Sequence, residues 1–539
     1  MINITKIRIL IFVIIAAFCG YAVKFYFLKP QSNILFLTPA LLSENFKNIP
    51  AVKPRYYVVF DQSCEQTYSP YETGYSGMSG LTLALKKSGV SVSLNSIPLE
   101  KFLENYSGKG KILVLGPAIN RRYGKKEIDA LEKFLKSGGG ILAIVEHQDL
   151  YGNITFQNDF IKKFGIAALN DATIAVGNNF REKQWAYCGC GVWNIDNIEL
   201  YYPAPLKIDS KCRKLLEMYN PENPKLNITA ALNDSNNGKL AVLGDAEILW
   251  NMKEPIGINN INNKLFLLKL FDYLSSSEEK YEITVTDFKP AAGSTKKALI
   301  DGSSYGLIPD SSPCGIDYFA AALNYAGFKI DITFDTNADY SRYDLVINAM
   351  PLDSNINPDI RASKRILIAG DGQTDIINDT MLQIILSRYF KINYRKELYV
   401  SALNKISAYF DLRFAGSTLI SNEPTGFFVK AKLNNSGEDF LLRRSDVISG
   451  VDSELPDGYK VLVYASDDCR ITDNFTPFNN FKKTEPKQNF FKSVFNSRKK
   501  PVAIISKKVI ALADIEMITN QFFFTKEGQY VFNEICSGN

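Results

Sequence analysis

Histidine is almost absent from this 539-residue chain, in which His147 is the one example. A catalytic pair of nucleophile and histidine is therefore excluded anywhere away from His147, because a cysteine or serine nucleophile needs a nearby base. The 8 cysteines are scattered. Cys188 and Cys190 have no second cysteine pair or histidine nearby that would complete a zinc site. In an oxidising compartment, the nearest local disulfide option joins one of these two to Cys212.

A marked excess of one charge is also lacking. The chain has 62 basic and 57 acidic residues, a net charge of +5. Spread over this length, that charge predicts no nucleic-acid partner. The hydrophobic content of 46% and charged content of 22% are typical of globular proteins. The length exceeds that of one compact core, so we expect two or three domains.

One long apolar run lies at the N-terminus. Residues 7–23 carry one charge, Arg8, and extension to Leu28 gives roughly the 20 residues that cross a bilayer. Aromatic residues lie at the far end of the run, where an interfacial belt is expected. We predict a single-pass anchor at residues 1–30 in the cytoplasmic membrane, with the rest of the chain extracytoplasmic or periplasmic. A cleaved signal peptide is the alternative, although no small-x-small cleavage site stands out.

The rest of the chain contains an internal repeat. Paired segments occur in the same order: YVVFDQS (57–63) and ALIDGSS (298–304), KILVLGP (111–117) and DLVINAMP (344–351), GGGILAIVEHQD (138–149) and KRILIAGDGQT (364–374), and KLAVLGDAEILWN (239–251) and KVIALADIEMITN (508–520). After the first member of each copy come a loop, a helix that ends at Gly89 or Gly327, and a second strand. The second copy carries a longer insertion before its last strand.

The alternation of strand and helix predicts the fold class. The strands are continuous apolar runs, which indicates parallel strands buried on both faces. We therefore predict an α/β protein with two tandem doubly wound, flavodoxin-like parallel-sheet domains after the transmembrane helix. The predicted domains cover residues 50–275 and 296–539. The linker at residues 276–295 is charged and rich in Pro, Gly and Ser, and part of it can form an edge strand.

Three stretches of the first copy resemble a known family: residues 115–146, 160–174 and 238–274. Their order is similar to the class I glutamine-amidotransferase-like fold in its non-catalytic branch. That branch includes the gliding-motility ABC-transporter auxiliary proteins and the GIFT domain of intraflagellar transport proteins. The resemblance covers nearly all of the first copy and the start and end of the second. It implies a fold and says almost nothing about function.

An amidotransferase nucleophile would follow the strand of the third pair, on a strained turn between strand and helix. Glu146 and His147 occupy that place in the first copy, and Asp371 does so in the second. Neither copy has a cysteine or serine there, so we expect no nucleophilic enzyme. His147 follows a strand end, where open α/β sheets bind ligands. It is interpreted either as a ligand-contacting residue of a cleft or as a loop histidine bonded to backbone or solvent.

Acidic residues recur at the predicted strand ends. Converging carboxylates can form a glycosidase pair or hold a hard cation. An Asp after a strand is also a common helix N-cap, and capping is the favoured interpretation. The acids concerned are Asp61, Asp245 and Glu247 in the first copy, and Asp301, Asp371, Asp514 and Glu516 in the second.

Two stretches are candidate contact surfaces. Trp185 and Trp193 lie in the aromatic stretch WAYCGCGVW, which predicts either a surface that stacks on sugars or proteins or a packed lid. Residues 482–500 hold seven basic residues among phenylalanines, which is compatible with anionic lipid headgroups or with a solvated loop.

The leading hypothesis is a non-enzymatic, membrane-anchored binding or assembly protein, a scaffold of an envelope complex, with no cofactor. It expects envelope protein partners. A carbohydrate-binding or carbohydrate-processing envelope protein is the second hypothesis, with a glycan as ligand. An accessory subunit of an ABC transporter is the third, and it follows from the family resemblance alone. Loss of the nucleophile from both copies favours the first.

Overall fold

The computed structural model describes residues 37–277, 282–284, 295–370, 402–472 and 500–537, with short gaps inside these ranges, the longest at 174–184. The described chain forms two α/β units, each built on a large mixed sheet. The N-terminal unit covers residues 51–284, and the C-terminal unit covers residues 296–537 together with residues 37–49. The predicted anchor at residues 1–30 lies outside the described residues. None of the described helices is both long and apolar enough to span a membrane.

The parallel strands of the large sheet in the N-terminal unit follow apolar runs of the sequence, and the unit contains thirteen described strands. In chain order they are β1 (Ala51–Lys53), β2 (Tyr57–Asp61), β3 (Ser91–Asn95), β4 (Lys111–Leu115), β5 (Gly140–Ile144), β6 (Ile166–Ala168), β7 (Trp185–Cys190), β8 (Ile195–Tyr201), β9 (Leu206–Ile208), β10 (Arg213–Met218), β11 (Ile228–Asn233), β12 (Lys239–Leu243) and β13 (Glu282–Thr284). The helices up to this point are α1 (Pro39–Leu42), α2 (Ser79–Lys87), α3 (Leu99–Asn105), α4 (Lys125–Lys136), α5 (Asn153–Ile161) and α6 (Ile261–Ser275).

The large sheet of this unit is parallel in one half only. Its order is β3-β2-β4-β5-β12-β11-β10-β7-β8. The first five strands are parallel, as predicted, whereas β11, β10, β7 and β8 are antiparallel. The prediction of a parallel sheet was therefore incomplete. The antiparallel neighbours β7 and β8 are joined by the short turn of residues 191–194, as antiparallel pairing allows.

Two apolar layers cover the sheet, one on each face. Val58 and Phe60 of β2 face one layer, which contains Phe266 and Leu270 of α6. Val59 faces the other layer, which α4 supplies through residues such as Leu131. The alternation follows from the two-residue period of a strand, which sends successive side chains to opposite faces. The prediction that the parallel strands are buried on both faces is confirmed here.

The C-terminal unit continues the list of elements. Its strands are β14 (Lys296–Asp301), β15 (Phe328–Thr333), β16 (Leu345–Ala349), β17 (Ile366–Ala369), β18 (Leu412–Phe414), β19 (Thr418–Ser421), β20 (Phe428–Leu433), β21 (Asp439–Arg443), β22 (Ile448–Gly450), β23 (Lys460–Ala465), β24 (Cys469–Thr472), β25 (Lys500–Ile505) and β26 (Val509–Leu512). Its helices are α7 (Asp317–Tyr325), α8 (Ala402–Ala408) and α9 (Lys526–Ser537).

The second sheet has the same strand order as the first. It runs β15-β14-β16-β17-β26-β25-β23-β20-β21, with five parallel strands followed by antiparallel ones. Each strand of this sheet therefore has a counterpart in the first sheet. The paired segments recognised in the sequence occupy corresponding strands, because β2 matches β14 and β12 matches β26.

A matching pair of asparagines joins α2 and α7 to the segments that follow β12 and β26, the last parallel strands of the two sheets. The side-chain oxygen of Asn251 accepts from the Gly80 N–H at the start of α2 (2.7 Å), and Asn520 accepts from Tyr318 N–H in α7 (2.9 Å). Neither helix has a side-chain cap from its own N-cap residue. A distant asparagine therefore satisfies helix N–H groups that would otherwise lack a partner.

The first described residues belong to the C-terminal unit. Leu37 and Leu42 are buried in its core, and the Leu37 N–H donates to Gln529 Oε1 at 3.0 Å. Asn45 bonds to Asn324 at the end of α7. The chain then enters the N-terminal unit through β1, which pairs with β13 as the chain leaves it. The N-terminal unit is thus inserted, through a two-stranded ribbon, between two parts of the C-terminal unit.

Candidate functional site

The turn after β5 is the place where the resemblance implies a nucleophile. Glu146 lies there with 5% of its surface exposed. Its backbone N–H donates to Asn153 Oδ1 (2.7 Å), and its Oε1 accepts from the Ala246 N–H (3.1 Å). Glu146 therefore links the end of β5 to the end of the neighbouring strand β12, where Ala246 lies.

Two further carboxyl groups come from the end of β12. Asp245 is fully buried and accepts from the N–H groups of Tyr201 and Glu247, each at 2.8 Å. Glu247 begins the short helix Glu247–Leu249 and is 7% exposed. We call Glu146, Asp245 and Glu247 the acid cluster. It forms because parallel neighbours β5 and β12 end at the same edge of the sheet.

The acid cluster is electrostatically strained. Burial raises the pKa of Asp245 to about 6, and the nearby charge of Glu146 adds to the effect. Burial also raises the pKa of Glu247 well above its usual value, with further contributions from Glu146 and Asp245. Among the described residues, no lysine or arginine forms an ion pair with any of the three. Protonation of Asp245 and Glu247 therefore provides part of the charge neutralisation that buried carboxylates require.

His147 covers the acid cluster on one side. Its Nδ1 lies 3.6 Å from Glu146 Oε2, and its side chain is 16% exposed. The ring packs on Tyr202, with centroids 5.4 Å apart. Nδ1 is buried without a hydrogen-bond partner among the described residues. The backbone around the cluster is strained, because Gln148, Asp149 and Tyr202 all have positive φ angles.

The acids at the ends of the first strands have structural partners. Asp61 accepts from Ser63, Gln66 and Asn95, and burial raises its pKa. Asp301 is its counterpart.

Asp301, which ends the first strand of the second large sheet, accepts hydrogen bonds from the Ser303 N–H, the Tyr340 hydroxyl and the Asn348 amide. Neither Asp61 nor Asp301 approaches the acid cluster through a contact. Asp514 is buried, and Asp371 lies outside the described residues, as does the side chain of Glu516.

The two tryptophans of the aromatic stretch lie at opposite ends of a hairpin. Trp193 sits at the turn between β7 and β8 and packs on Phe266 and Tyr273 of α6, with ring centroids 5.7 and 6.0 Å apart. Trp185 begins β7 and pairs with Tyr201, beside the acid cluster. The six-residue strand β7 separates the two tryptophans along the hairpin. The Trp185 side chain lies outside the described residues.

Cys188 lies near the acid cluster, although nothing in the sequence pattern predicts this. Its Sγ is 3.5 Å from Thr229 Oγ1, and burial, with Asp245 nearby, raises the pKa of the thiol to about 12. Cys188, Cys190 and Cys212 are all free. The local disulfide option is therefore wrong, because Cys188 and Cys190 face one apolar layer and Cys212 packs against the other.

Metal binding finds no support in the described part of the chain. No group of three or more His, Cys, Asp or Glu residues there is arranged to hold a metal ion. A polar surface cavity of about 380 Å³ lies elsewhere on the N-terminal unit, beside Lys136, Lys163 and Lys211. It has no contact with the acid cluster.

Comparison with known proteins adds information on fold alone. No family model and no curated protein matches the chain. Among solved structures, the N-terminal domain of mmIFT52 is similar at 18% identity and a TM-score of 0.34, over 41% of this chain and 99% of that one. A putative ThuA-like protein from Bacteroides uniformis is similar at 15% identity and a TM-score of 0.26, over 42% and 94%. A cytoplasmic protein from Salmonella typhimurium LT2 is similar at 10% identity and a TM-score of 0.26, over 40% and 99%.

All three TM-scores are below 0.5, so these similarities do not identify the family of this chain. At such identities and TM-scores they say nothing about activity or ligand.

Proposed function

We propose that the chain is a non-enzymatic, membrane-anchored extracytoplasmic binding protein that serves as a scaffold component of an envelope complex. The observation that carries the proposal is the turn after β5. Glu146 stands where a nucleophile would, and it is held by the Ala246 N–H. The nearest thiol described, that of Cys188, is buried and has a pKa of about 12, so it is protonated and unreactive at neutral pH.

Contacts between the two units support a scaffold role. Ser91 Oγ donates to Asp310 Oδ2 (2.5 Å), Gln521 Nε2 donates to Asn95 Oδ1 (3.1 Å), and Lys87 pairs with Asp353 (3.1 Å). These contacts, with the ribbon of β1 and β13, fix two sheets against each other. A rigid pair of sheets can present one continuous surface to a partner at little cost in conformational entropy.

The membrane anchor belongs to the proposal because its support is the sequence of residues 7–28. Extraction tests it separately. A chain held by a spanning helix stays in the membrane pellet after alkaline carbonate treatment, and a chain that is only peripherally bound is released.

The central experiment is purification of the intact protein from its own membrane in mild detergent. A stoichiometric protein partner is expected. A partner complex with an ATPase and a permease would make the chain a transporter accessory subunit. Hydrolysis of glutamine or of a glycan by the purified protein, lost on Glu146→Gln, would overturn the non-enzymatic assignment.

A glycan ligand is the second candidate, favoured by one observation. The rings of Tyr201, Tyr202 and His147 lie side by side, with Tyr201 and Tyr202 5.2 Å apart, and both tyrosines are partly exposed. Aromatic faces of this kind stack on sugars. A glycan screen with the intact protein tests the candidate, with Tyr202→Ala expected to abolish binding and Trp193→Ala, at the far end of the hairpin, expected to leave it unchanged.

A further inference from the structure

Basic residues collect at the edge of the second large sheet where its parallel strands begin. They lie in or just before the first positions of β14, β16, β17 and β26, and the strand register places these starts in one row. Neighbouring strands are about 5 Å apart, so the row is roughly 15 Å long. Six of these residues are exposed, and we call them the basic edge: Lys296, Lys297, Arg342, Lys364, Lys507 and Lys508.

Few acids balance the basic edge. Asp344 pairs with Lys364 (2.7 Å), and Asp339 lies in the turn before β16. The other five members have no ion pair with a described residue. The Lys508 ammonium donates to a neutral group, the Arg361 carbonyl (2.6 Å). The basic edge therefore carries a surplus of positive charge.

The corresponding edge of the N-terminal unit neutralises more of its charge internally. Arg55, just before β2, pairs with Asp272 (3.2 Å), and Arg213, which begins β10, pairs with Asp234 (2.6 Å). The ammonium of Lys239, which begins β12, lies 4.0 Å from the centre of the Tyr273 ring. The surplus at the basic edge is therefore a property of the C-terminal unit and not of the repeated fold.

The N-terminal unit packs on the opposite edge of the second sheet. Its hydrogen bonds and its ion pair reach Asp310, Asp353 and Gln521, which follow β14, β16 and β26. Residues that follow parallel strands lie at the edge away from the strand starts. These contacts leave the basic edge open to a partner outside the chain.

The start of the described chain lies close to the basic edge. The Leu37 N–H donates to Gln529 of α9 (3.0 Å), and six residues later Ile535 O accepts from Arg365, just before β17 (2.9 Å). A helix rises about 1.5 Å per residue, so about 9 Å of helix separates these two contacts. The predicted anchor ends at residue 30, and the chain from there to Leu37 can span about 25 Å at most. A membrane that holds the anchor is therefore within reach of the basic edge.

We propose that the basic edge rests on anionic lipid headgroups of the membrane that holds residues 7–28. Positive side chains close to such a surface are attracted to it, and the attraction falls off within about 10 Å at moderate salt. The C-terminal unit then faces the membrane, and the N-terminal unit is presented to partners away from it. This inference rests on the proposed membrane anchor and adds the orientation of the two units.

Lysine labelling tests the contact on the intact protein. The protein is reconstituted into vesicles of phosphatidylcholine, and into vesicles of phosphatidylcholine mixed with phosphatidylglycerol. An amine-reactive acetylating reagent is added, and peptide mass spectrometry gives the rate at each lysine. The lysines of the basic edge should react several-fold more slowly in the anionic vesicles, and high salt should restore their rates. Lys133 and Lys162, exposed in the N-terminal unit, are the internal reference.

A pair of substitutions locates the contact. Each lysine near an anionic surface contributes about fivefold to the contact equilibrium, which corresponds to about 1 kcal/mol. Lys507→Gln combined with Lys508→Gln should therefore weaken the contact by roughly 25-fold and raise the labelling rates of Lys296 and Lys297 in anionic vesicles. Lys125→Gln combined with Lys126→Gln, on the exposed side of α4, is the matched control and should change neither rate.

Equal labelling rates at the basic edge in the two kinds of vesicle would overturn the proposal. Slow labelling of the protein in mild detergent without vesicles would also overturn it, because a copurifying acidic partner would then occupy the edge. Both measurements use the unmodified chain, so they decide the matter even if a variant fails to fold.

Carbonate extraction separates this proposal from the anchor on which it rests. A chain that resists extraction but whose edge lysines react equally in both kinds of vesicle keeps its anchor and loses the proposed contact. A chain that carbonate releases, but whose edge lysines are protected by anionic vesicles, keeps the contact and loses the anchor.

Discussion

The two units share a strand order but differ in how they satisfy the same buried acid. Asp61 ends β2, and its amide partner Asn95 lies on β3, at the outer edge of the sheet. Asp301 ends β14, and its amide partner Asn348 lies on β16, on the inner side. The acid therefore occupies the same position in both units, but its hydrogen-bond partners differ. An acid that accepts hydrogen bonds from different neighbours in each unit is a structural acceptor. Neither acid caps a helix, because the helices that follow begin at Ser79 and Asp317.

Removal of either acid should have the largest effect. Asp61→Ala and Asp301→Ala each leave several buried donors without an acceptor, so we expect each to lower the free energy of unfolding by about 3–5 kcal/mol. The loss should be confined to the unit that carries the change. Hydrogen exchange measured by mass spectrometry on the full chain reports the two units separately.

Exposed acids are the controls for this comparison. Asp129→Ala in the N-terminal unit and Asp335→Ala in the C-terminal unit should change stability by less than about 0.5 kcal/mol. Faster exchange in both units after a single change at Asp61 would contradict the idea that each acid serves its own sheet.

The acid cluster predicts a pH dependence of the N-terminal unit. The pKa of Asp245 is raised from 3.8 to about 6 in the folded chain, so the folded state binds more protons than the unfolded state between these values. Stability is therefore highest below pH 4 as far as this group is concerned, and falls as pH rises to 6. The loss is about 3 kcal/mol, and it stays constant above that pH.

Glu247→Gln sharpens this test. Burial and the two neighbouring acids raise the pKa of Glu247 well above its usual value of 4.5, so Glu247 itself also lowers stability as pH rises above that value. Glutamine does not titrate, so the total fall in stability with rising pH should be smaller in the variant. Protection against hydrogen exchange in β5 and β12, followed over this range, measures the effect. A pH profile identical to that of the unmodified chain would show that the pKa of Glu247 is not raised in the folded chain.

The paired asparagines allow the same substitution to be made, and its effect compared, in both units. Asn251→Ala removes the acceptor of the Gly80 N–H and a donor to Glu72 O, and Asn520→Ala removes the acceptor of the Tyr318 N–H and donors to Asp310 O and Ser312 O. At about 1 kcal/mol for each hydrogen bond, both should cost about 2–3 kcal/mol.

The N-termini of α2 and α7 should show the effect of these asparagine substitutions on hydrogen exchange most clearly. Exchange at the N-terminus of α2 should speed up in Asn251→Ala, and exchange at the N-terminus of α7 should speed up in Asn520→Ala. Asn170→Ala, a change of an exposed asparagine, is the control. An effect in one unit alone would mean that the two asparagines are not equivalent.

The local pattern of apolar residues in the sequence predicted part of the fold. Continuous apolar runs placed β2, β4, β5 and β12, and the repetition of those runs placed their counterparts. The antiparallel half escaped prediction because β8 and β10 are half-exposed, with polar residues that interrupt the apolar pattern. The insertion of one unit into the other also escaped it. Residues 37–49 carry no mark of the distant core that buries them, because that contact joins segments almost 500 residues apart.

The candidate site was predictable to a similar extent. Its residues could be identified from the sequence, but their meeting could not. Glu146, His147, Asp245 and Glu247 were identified because each follows an apolar strand. Their meeting depends on β5 and β12 being neighbours, and the sheet order is not written in either segment. Asn251 and Asn520 ended the last paired segments of the repeat, so their shared position was visible in the sequence. Their role was not, since the helices that they cap lie about 170 and 200 residues earlier.

The smallest expected effect concerns two thiols on opposite faces of the first sheet. Burial raises the pKa of Cys188 to about 12 and raises that of Cys212 as well, but Cys212 is partly exposed. Alkylation requires both the thiolate and access, so at pH 8 iodoacetamide should modify Cys212 slowly and Cys188 not at all. Peptide mass spectrometry of the folded chain gives both rates, and denatured protein gives the reference. Modification of Cys188 at a rate near the reference would show a reactive thiol beside the acid cluster, and the non-enzymatic assignment would then lose one of its two supports.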